Sequence, residues 1–157
     1  MFTKQFDTFV CDGDKIMCVV DGFDCVATTV RDDNGDAPDQ RDVGFWPNLD
    51  KTSAGYIGDR TEAELAAETA KAQAVMDAWL NGEWDYCGVC VVVSFKGVPL
   101  TPRYANALWG VERNYPESDN SYLAQVANEL LGEALEQAKA KIAELCEKVV
   151  YQAMSET

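Results

Sequence analysis

Apolar and polar residues alternate through Lys15–Val20 and again through Phe23–Arg31, with only Asp21-Gly22 between the two runs. A period of two marks a half-buried strand, and Asp-Gly favours the type I′ turn that joins antiparallel neighbours. A two-residue turn also sets the register: Val20 faces Phe23, Val19 faces Asp24 and Cys18 faces Cys25. Ile16, Cys18, Val20, Phe23, Cys25 and Ala27 then share one face, the core side, and Lys15, Asp24 and Thr28 lie on a mixed reverse. Residues 84–95 predict a long central strand. Cys87, Val89, Val91, Val93 and Phe95 line one face of it, and the other face is also largely apolar. Lys96-Gly97 turns the chain into 98–101, which Pro99 and Pro102 confine to an edge. Residues 105–112, with Leu108, Trp109 and Val111, predict a further strand that Asn114-Tyr115-Pro116 closes.

The period then changes. Thr61-Glu62-Ala63-Glu64 fits a capping box, and Leu65, Ala72, Val75, Met76, Trp79 and Leu80 follow at helical spacing until Asn81-Gly82, predicting a helix over 61–81. A second helix is predicted over 119–153, capped by Ser118 or Asp119. Its stripe runs Leu123, Ala127, Leu130, Leu131, Ala134, Ala138, Ile142, Leu145 and Val149. Unbroken, it is ~50 Å long at 1.5 Å per residue, which exceeds a small domain. Either Gly132 breaks it, or its last turns project and bury Ile142, Leu145 and Val149 in a homodimer. Between the regular elements, residues 32–58 form an irregular acidic loop region, long enough to be either functional or partly disordered. The expected architecture is a single α+β domain over 1–157, an antiparallel sheet of four or five strands covered on one side by the two helices.

Charge changes this picture most. The chain carries 27 acidic and 13 basic residues, no histidine, and a net charge of −14 over 157 residues. Such a field repels nucleic acid and anionic membranes and attracts basic proteins. Without histidine the usual general base and zinc ligand are missing. No apolar run approaches a membrane span, and the N-terminus has no hydrophobic targeting segment, so the expected location is a reducing cytoplasm with the six cysteines as thiols.

Candidate chemistry is sparse. Cys87-Gly88-Val89-Cys90 is a CxxC, but residues three apart in a strand point to opposite faces unless Gly88 forms a bulge, so both read as packed core thiols. Cys18 and Cys25 come opposite each other at a Cα separation of ~5.5 Å, within disulfide reach. A four-sulfur zinc site from Cys18, Cys25, Cys87 and Cys90 or Cys146 lacks a second CxxC. Asp32-x-Asn34-x-Asp36 imitates the start of a calcium loop, yet its fourth and twelfth positions, Gly35 and Val43, depart from it. No cofactor or metal is expected.

Asp12 and Asp14 flank Gly13 as a carboxylate pair in a solvated turn. Asp32, Asp33, Asp36, Asp39 and Asp42 crowd a short loop that only Arg41 opposes, a spacing that can imitate duplex phosphates. Trp79, Trp84 and Trp109 fit core faces. Trp46, in Gly44-Phe45-Trp46-Pro47, belongs to no periodic element and is expected to face solvent or a partner.

Asp21-Gly22-Phe23, then Trp84-x-Tyr86-x-Gly88-Val89-x-Val91-x-Val93-Ser94, resembles a group of small acidic proteins encoded by phages, prophages and plasmids. Leu108-Trp109-Gly110-Val111-Glu112, Asn114-Tyr115-Pro116-x-Ser118-Asp119-Asn120-x-Tyr122-Leu123 and Val126-Ala127-Asn128-Glu129-Leu130 strengthen the likeness, which spans 13–31 and 84–135. It implies a mobile-element origin and carries over no catalytic residue.

The function expected is that of a non-enzymatic, phage-encoded inhibitor of a host defence complex in the host cytoplasm, CRISPR effectors first and restriction enzymes second. Asp12, Asp14, the five loop aspartates and Trp46 would meet a basic, nucleic-acid-handling surface without binding nucleic acid directly. The alternative is a homo-oligomeric structural or regulatory accessory protein whose acidity serves only solubility.

Overall fold

A computed structural model describes residues 1–155. It contains β1 (Lys15–Val20), β2 (Phe23–Arg31), α1 (Pro38–Arg41), α2 (Glu62–Leu80), β3 (Asp85–Phe95), β4 (Val98–Pro99), β5 (Ala107–Arg113) and α3 (Ser121–Ser155). The strands form one antiparallel sheet in the order β1-β2-β3-β4, with β5 also paired to β3. The architecture is therefore α+β. No helix among the described residues is long and apolar enough to cross a membrane.

The hairpin has the register that Asp21-Gly22 dictates, with Cys18 opposite Cys25 and Val20 opposite Phe23. Asp21 and Gly22 both adopt positive φ, 51° and 81°, as a type I′ turn demands. Ile16, Phe23, Cys25, Ala27, Cys87, Val89, Val91 and Val93 are buried on one face. Over that face lies α3, which supplies Leu123, Ala124, Ala127, Leu131, Ala134 and Ala138. Four of these six are alanines, so the helix can approach the strands closely.

The helix does not break at Gly132. It continues through the end of the described residues, and Ile142 still packs on the chain's own core. Beyond it Leu145, Val149, Val150 and Tyr151 are exposed. Of the three residues expected at a dimer contact, Ile142 thus belongs to the fold, while Leu145 and Val149 project.

Two features depart from the pattern in the sequence. Residues 1–10 form no regular element, yet Phe2, Phe6 and Val10 are buried in the core. Asparagine side chains hold this segment as a second strand would. Asn128 accepts from Phe2 N–H (2.7 Å) and donates to Phe2 C=O (3.1 Å). Asn114 does the same for Val10 at 2.8 and 2.9 Å. Asn120, fully buried, donates to Thr8 C=O and to Asn114 Oδ1 and accepts from Asn114 N–H.

The second departure is Trp109, which is 42% exposed and not a core residue. Cys87 pairs with Val111 but Val89 pairs with Leu108, so β5 carries one extra residue at Trp109-Gly110, with Gly110 at φ 73°. That bulge inverts the alternation and turns the indole onto the sheet face away from α3. There it lies on Gly88, where an added Cβ would meet the ring at 2.6 Å. β3 itself stays regular against β2, so Cys87 and Cys90 do point to opposite faces.

The capping box that opens α2 forms in both directions, between Thr61 and Glu64. Of its residues only Ala78 is buried. The helix is fixed by its last turns, where Trp84 Nε1–H donates to Val75 C=O at 2.9 Å, and α3 provides the cover on the sheet.

Candidate functional site

The acidic region begins where β2 ends and is folded, not loose. Asp32 extends the sheet by one bond, N–H to Tyr86 C=O, 2.9 Å. Its carboxylate is 4% exposed and accepts from Arg41 at 3.2 Å. The guanidinium lies 4.0 Å above the Tyr86 ring, and an added Cβ on Gly110 would come within 3.0 Å of it. The one cation in the acidic run therefore clamps the loop to the β3–β5 pair. α1, between Asp32 and the following turn, exists to aim that side chain: Pro38 opens it, and Gln40 bonds back to Ala37 N–H.

Further along, Asp42 accepts from Gly44 N–H, and Asn48 exchanges backbone bonds with Gly55 and Ile57. Gly55 is required there, since any Cβ would strike Trp46 C=O at 2.0 Å. Asp50 accepts from Thr52 and Asp59 from Tyr56, and these bonds hold both carboxyls below the usual range.

The predicted site residues separate accordingly. Asp32 is consumed by Arg41. Asp39 accepts from Trp46 Nε1–H at 3.2 Å, which tethers the half-exposed indole, itself in T-shaped contact with Phe45. Asp14 accepts from Cys11 N–H and Asp12 from Arg31 N–H, both 2.7 Å. Asp33 is 92% exposed with only a distant contact to Arg31 at 3.9 Å, Asp36 has no partner among the described residues, and Asp42, though exposed, accepts from Gly44 N–H. Asp33, Asp36 and Asp42 are the loop acids left to project.

Beneath the loop is a cleft of about 310 Å³ lined by Arg31, Asp36, Arg41, Trp79, Trp84 and Tyr86. Next to it Arg113, 5% exposed, forms a two-pronged pair with Asp85 at 2.8 and 2.6 Å, and Asp12 stands 3.8 Å away. The sequence does not single out Arg113. Arg41 was legible only as the lone base in an acidic run. Each guanidinium is neutralised by a carboxylate, which suits anchoring more than ligand capture. Among the described residues no group of three His, Cys, Asp or Glu side chains gathers as metal ligands would.

Burial pushes the Cys87 thiol up to about 12 and the Cys25 thiol up to about 11, the latter also raised by Cys18. Both stay protonated and unreactive at neutral pH. At pH 7.5 a thiol reagent is expected to label the exposed Cys11 and Cys146 in native protein, and Cys25, Cys87 and Cys90 only after unfolding. Rapid native labelling of Cys87, read by peptide mass spectrometry, would contradict the packing. No protein-family model, curated protein or solved structure matches the chain.

Proposed function

We propose that the protein is a non-enzymatic inhibitor that lays an acidic surface on a basic, nucleic-acid-handling surface and blocks it by bulk and charge. One observation carries this: the acidic loop is clamped by Asp32–Arg41–Tyr86, yet it leaves Asp33, Asp36 and Asp42 projecting. Carboxylates held in place can imitate phosphates without ordering the loop on binding. A net charge of −14 steers such an encounter. The resemblance to mobile-element proteins supports a host defence complex as target, CRISPR effectors first and restriction enzymes second.

Purified effector complexes and restriction nucleases test this by titration calorimetry and inhibition of cleavage. Asp33→Asn/Asp36→Asn/Asp42→Asn is expected to weaken binding on the order of 1,000-fold, since close charge pairs across interfaces couple by roughly 1.5 kcal/mol or more each. Stability should change by less than about 0.5 kcal/mol, because Asp33 and Asp36 hold little together and asparagine at 42 keeps an oxygen to accept from Gly44 N–H. Asp32 is left intact in this variant, as it belongs to the clamp. Binding should also weaken between 50 and 500 mM salt. Undiminished binding by the triple variant refutes mimicry by this loop.

The second reading, a homo-oligomeric accessory protein, draws on the exposed apolar positions Leu145 and Val149 of α3. Its self-association should not weaken with salt, because two chains of −14 repel at long range.

A further inference from the structure

We infer that β1 is a self-pairing edge, through which two copies of the chain join their sheets antiparallel about a twofold axis at Cys18. The sheet has two edges, and they differ. On one side β5 is kinked by the Trp109-Gly110 bulge and β4 contains Pro99, two devices that discourage strand addition. On the other, β1 is six regular residues with no bulge, no proline and one charge, Lys15, at its start.

Its hydrogen-bonding parity follows from the turn. Val20 and Phe23 flank a two-residue loop, so they exchange bonds, as do Cys18 with Cys25 and Ile16 with Ala27. Thr29 N–H donating to Asp14 C=O keeps the same parity at the far end. The N–H and C=O groups of Lys15, Met17 and Val19 therefore point out of the sheet. The side chains of those residues lie on the face away from α3, where Met17 is 68% and Val19 69% exposed. These are large apolar groups beside unpaired backbone.

The sequence of β1 is its own complement in one register. Centred on Cys18, antiparallel pairing sets Met17 against Val19 of the second copy and, by symmetry, Val19 against its Met17. Lys15 comes level with Asp21 of the second copy at both ends, an ion pair flanking the apolar centre twice. Asp21 is 69% exposed and its contact with Lys139, on the α3 side, is a loose 3.6 Å, so on pairing it can exchange that cation for Lys15 of the second copy. On the α3 side Ile16 faces Val20 of the second copy, and the half-buried Cys18 and Val20 gain cover. This match of charge and apolar position favours a second copy over a foreign strand. The inference uses none of the loop aspartates, so it stands or falls apart from the acidic-partner reading.

Light scattering of the full chain tests it. The native protein is expected at twice 17.3 kDa. Lys15→Glu, an exposed change that sets Glu against Asp21, should raise the dimer dissociation constant at least tenfold. Met17→Pro removes one outward N–H while leaving the β1–β2 ladder whole, and should give monomer with unchanged circular dichroism. Leu145→Glu/Val149→Glu should remain dimeric. In a Cys11→Ser/Cys146→Ser background, mild oxidation should link the copies through Cys18, since residues facing in a non-bonded pair lie ~4.5 Å apart at Cα. A native monomer overturns the inference, as does a dimer lost in the α3 variant and kept in Lys15→Glu. If Met17→Pro fails to fold, Lys15→Glu and the Cys18 link decide the matter without it.

Discussion

Replacing Asn120 with alanine is expected to cost about 3 kcal/mol of unfolding free energy, from three hydrogen bonds each worth ~1 kcal/mol net. Asn120 is fully buried and serves three groups: Thr8 C=O, Asn114 Oδ1 and Asn114 N–H. Removing the amide leaves all three facing a small void that protein already surrounds. Its φ of 60° adds a separate term, since alanine is less at ease than asparagine in the left-handed region. Asn120→Gly separates the two, because glycine accepts that backbone but makes none of the bonds. Urea unfolding should give alanine below glycine and both well below native. Loss of less than about 1 kcal/mol in alanine would mean that water or a rearranged N-terminal segment fills the place.

Asp85→Ala is the second large effect, also about 3 kcal/mol, the lower end of what breaking a buried pair costs. The lower end applies because water reaches Asp85, whose side chain is 27% exposed, whereas Arg113 is 5% exposed. With Asp85 gone, the guanidinium keeps only Asp12 at 3.8 Å, too long for a hydrogen bond. Arg113→Met should be milder, because it leaves the better solvated partner behind. Asp85→Ala with Arg113→Met should recover much of the single loss, and urea unfolding of the four proteins measures the coupling. Additive losses in the double variant would show that the pair contributes nothing beyond its separate side chains.

Local chemistry explains which elements could be read from residues alone. Asp21-Gly22 favours one turn type, so the register followed from two residues and the core face from the alternation on either side of them. Thr61 and Glu64 announced their own cap. Trp109 misled for a definite reason: strand parity holds only while each residue faces one partner, and Gly110 ends that condition. A glycine inside an alternating run is the available sign of a bulge.

Phe2, Phe6 and Val10 left no such sign. Their segment has no period, and what buries them is hydrogen bonding from Asn114, Asn120 and Asn128, more than a hundred positions away. The candidate site was half legible for a similar reason. Composition located the acidic loop but averaged over it. Only the fold separates Asp32, spent on Arg41, from Asp36, which remains free.

The order of elements along the chain bears on how the protein is made. The strands all precede α3 in the chain, so they emerge from the ribosome while α3, the cover for the sheet and the last of the described elements, is still inside the exit tunnel. For that interval the nascent chain holds an assembled sheet with Val89, Val91 and Val93 bare to solvent, and the N-terminal segment has no Asn120 or Asn128 to dock on. Contacts of such long sequence separation close late. A nascent chain in this condition is the kind of species that chaperones hold and that aggregates when they do not. Stalling synthesis when Arg113 has emerged and α3 is still within the tunnel should therefore yield a ribosome-bound intermediate that recruits such holdases, and release of α3 should dismiss them.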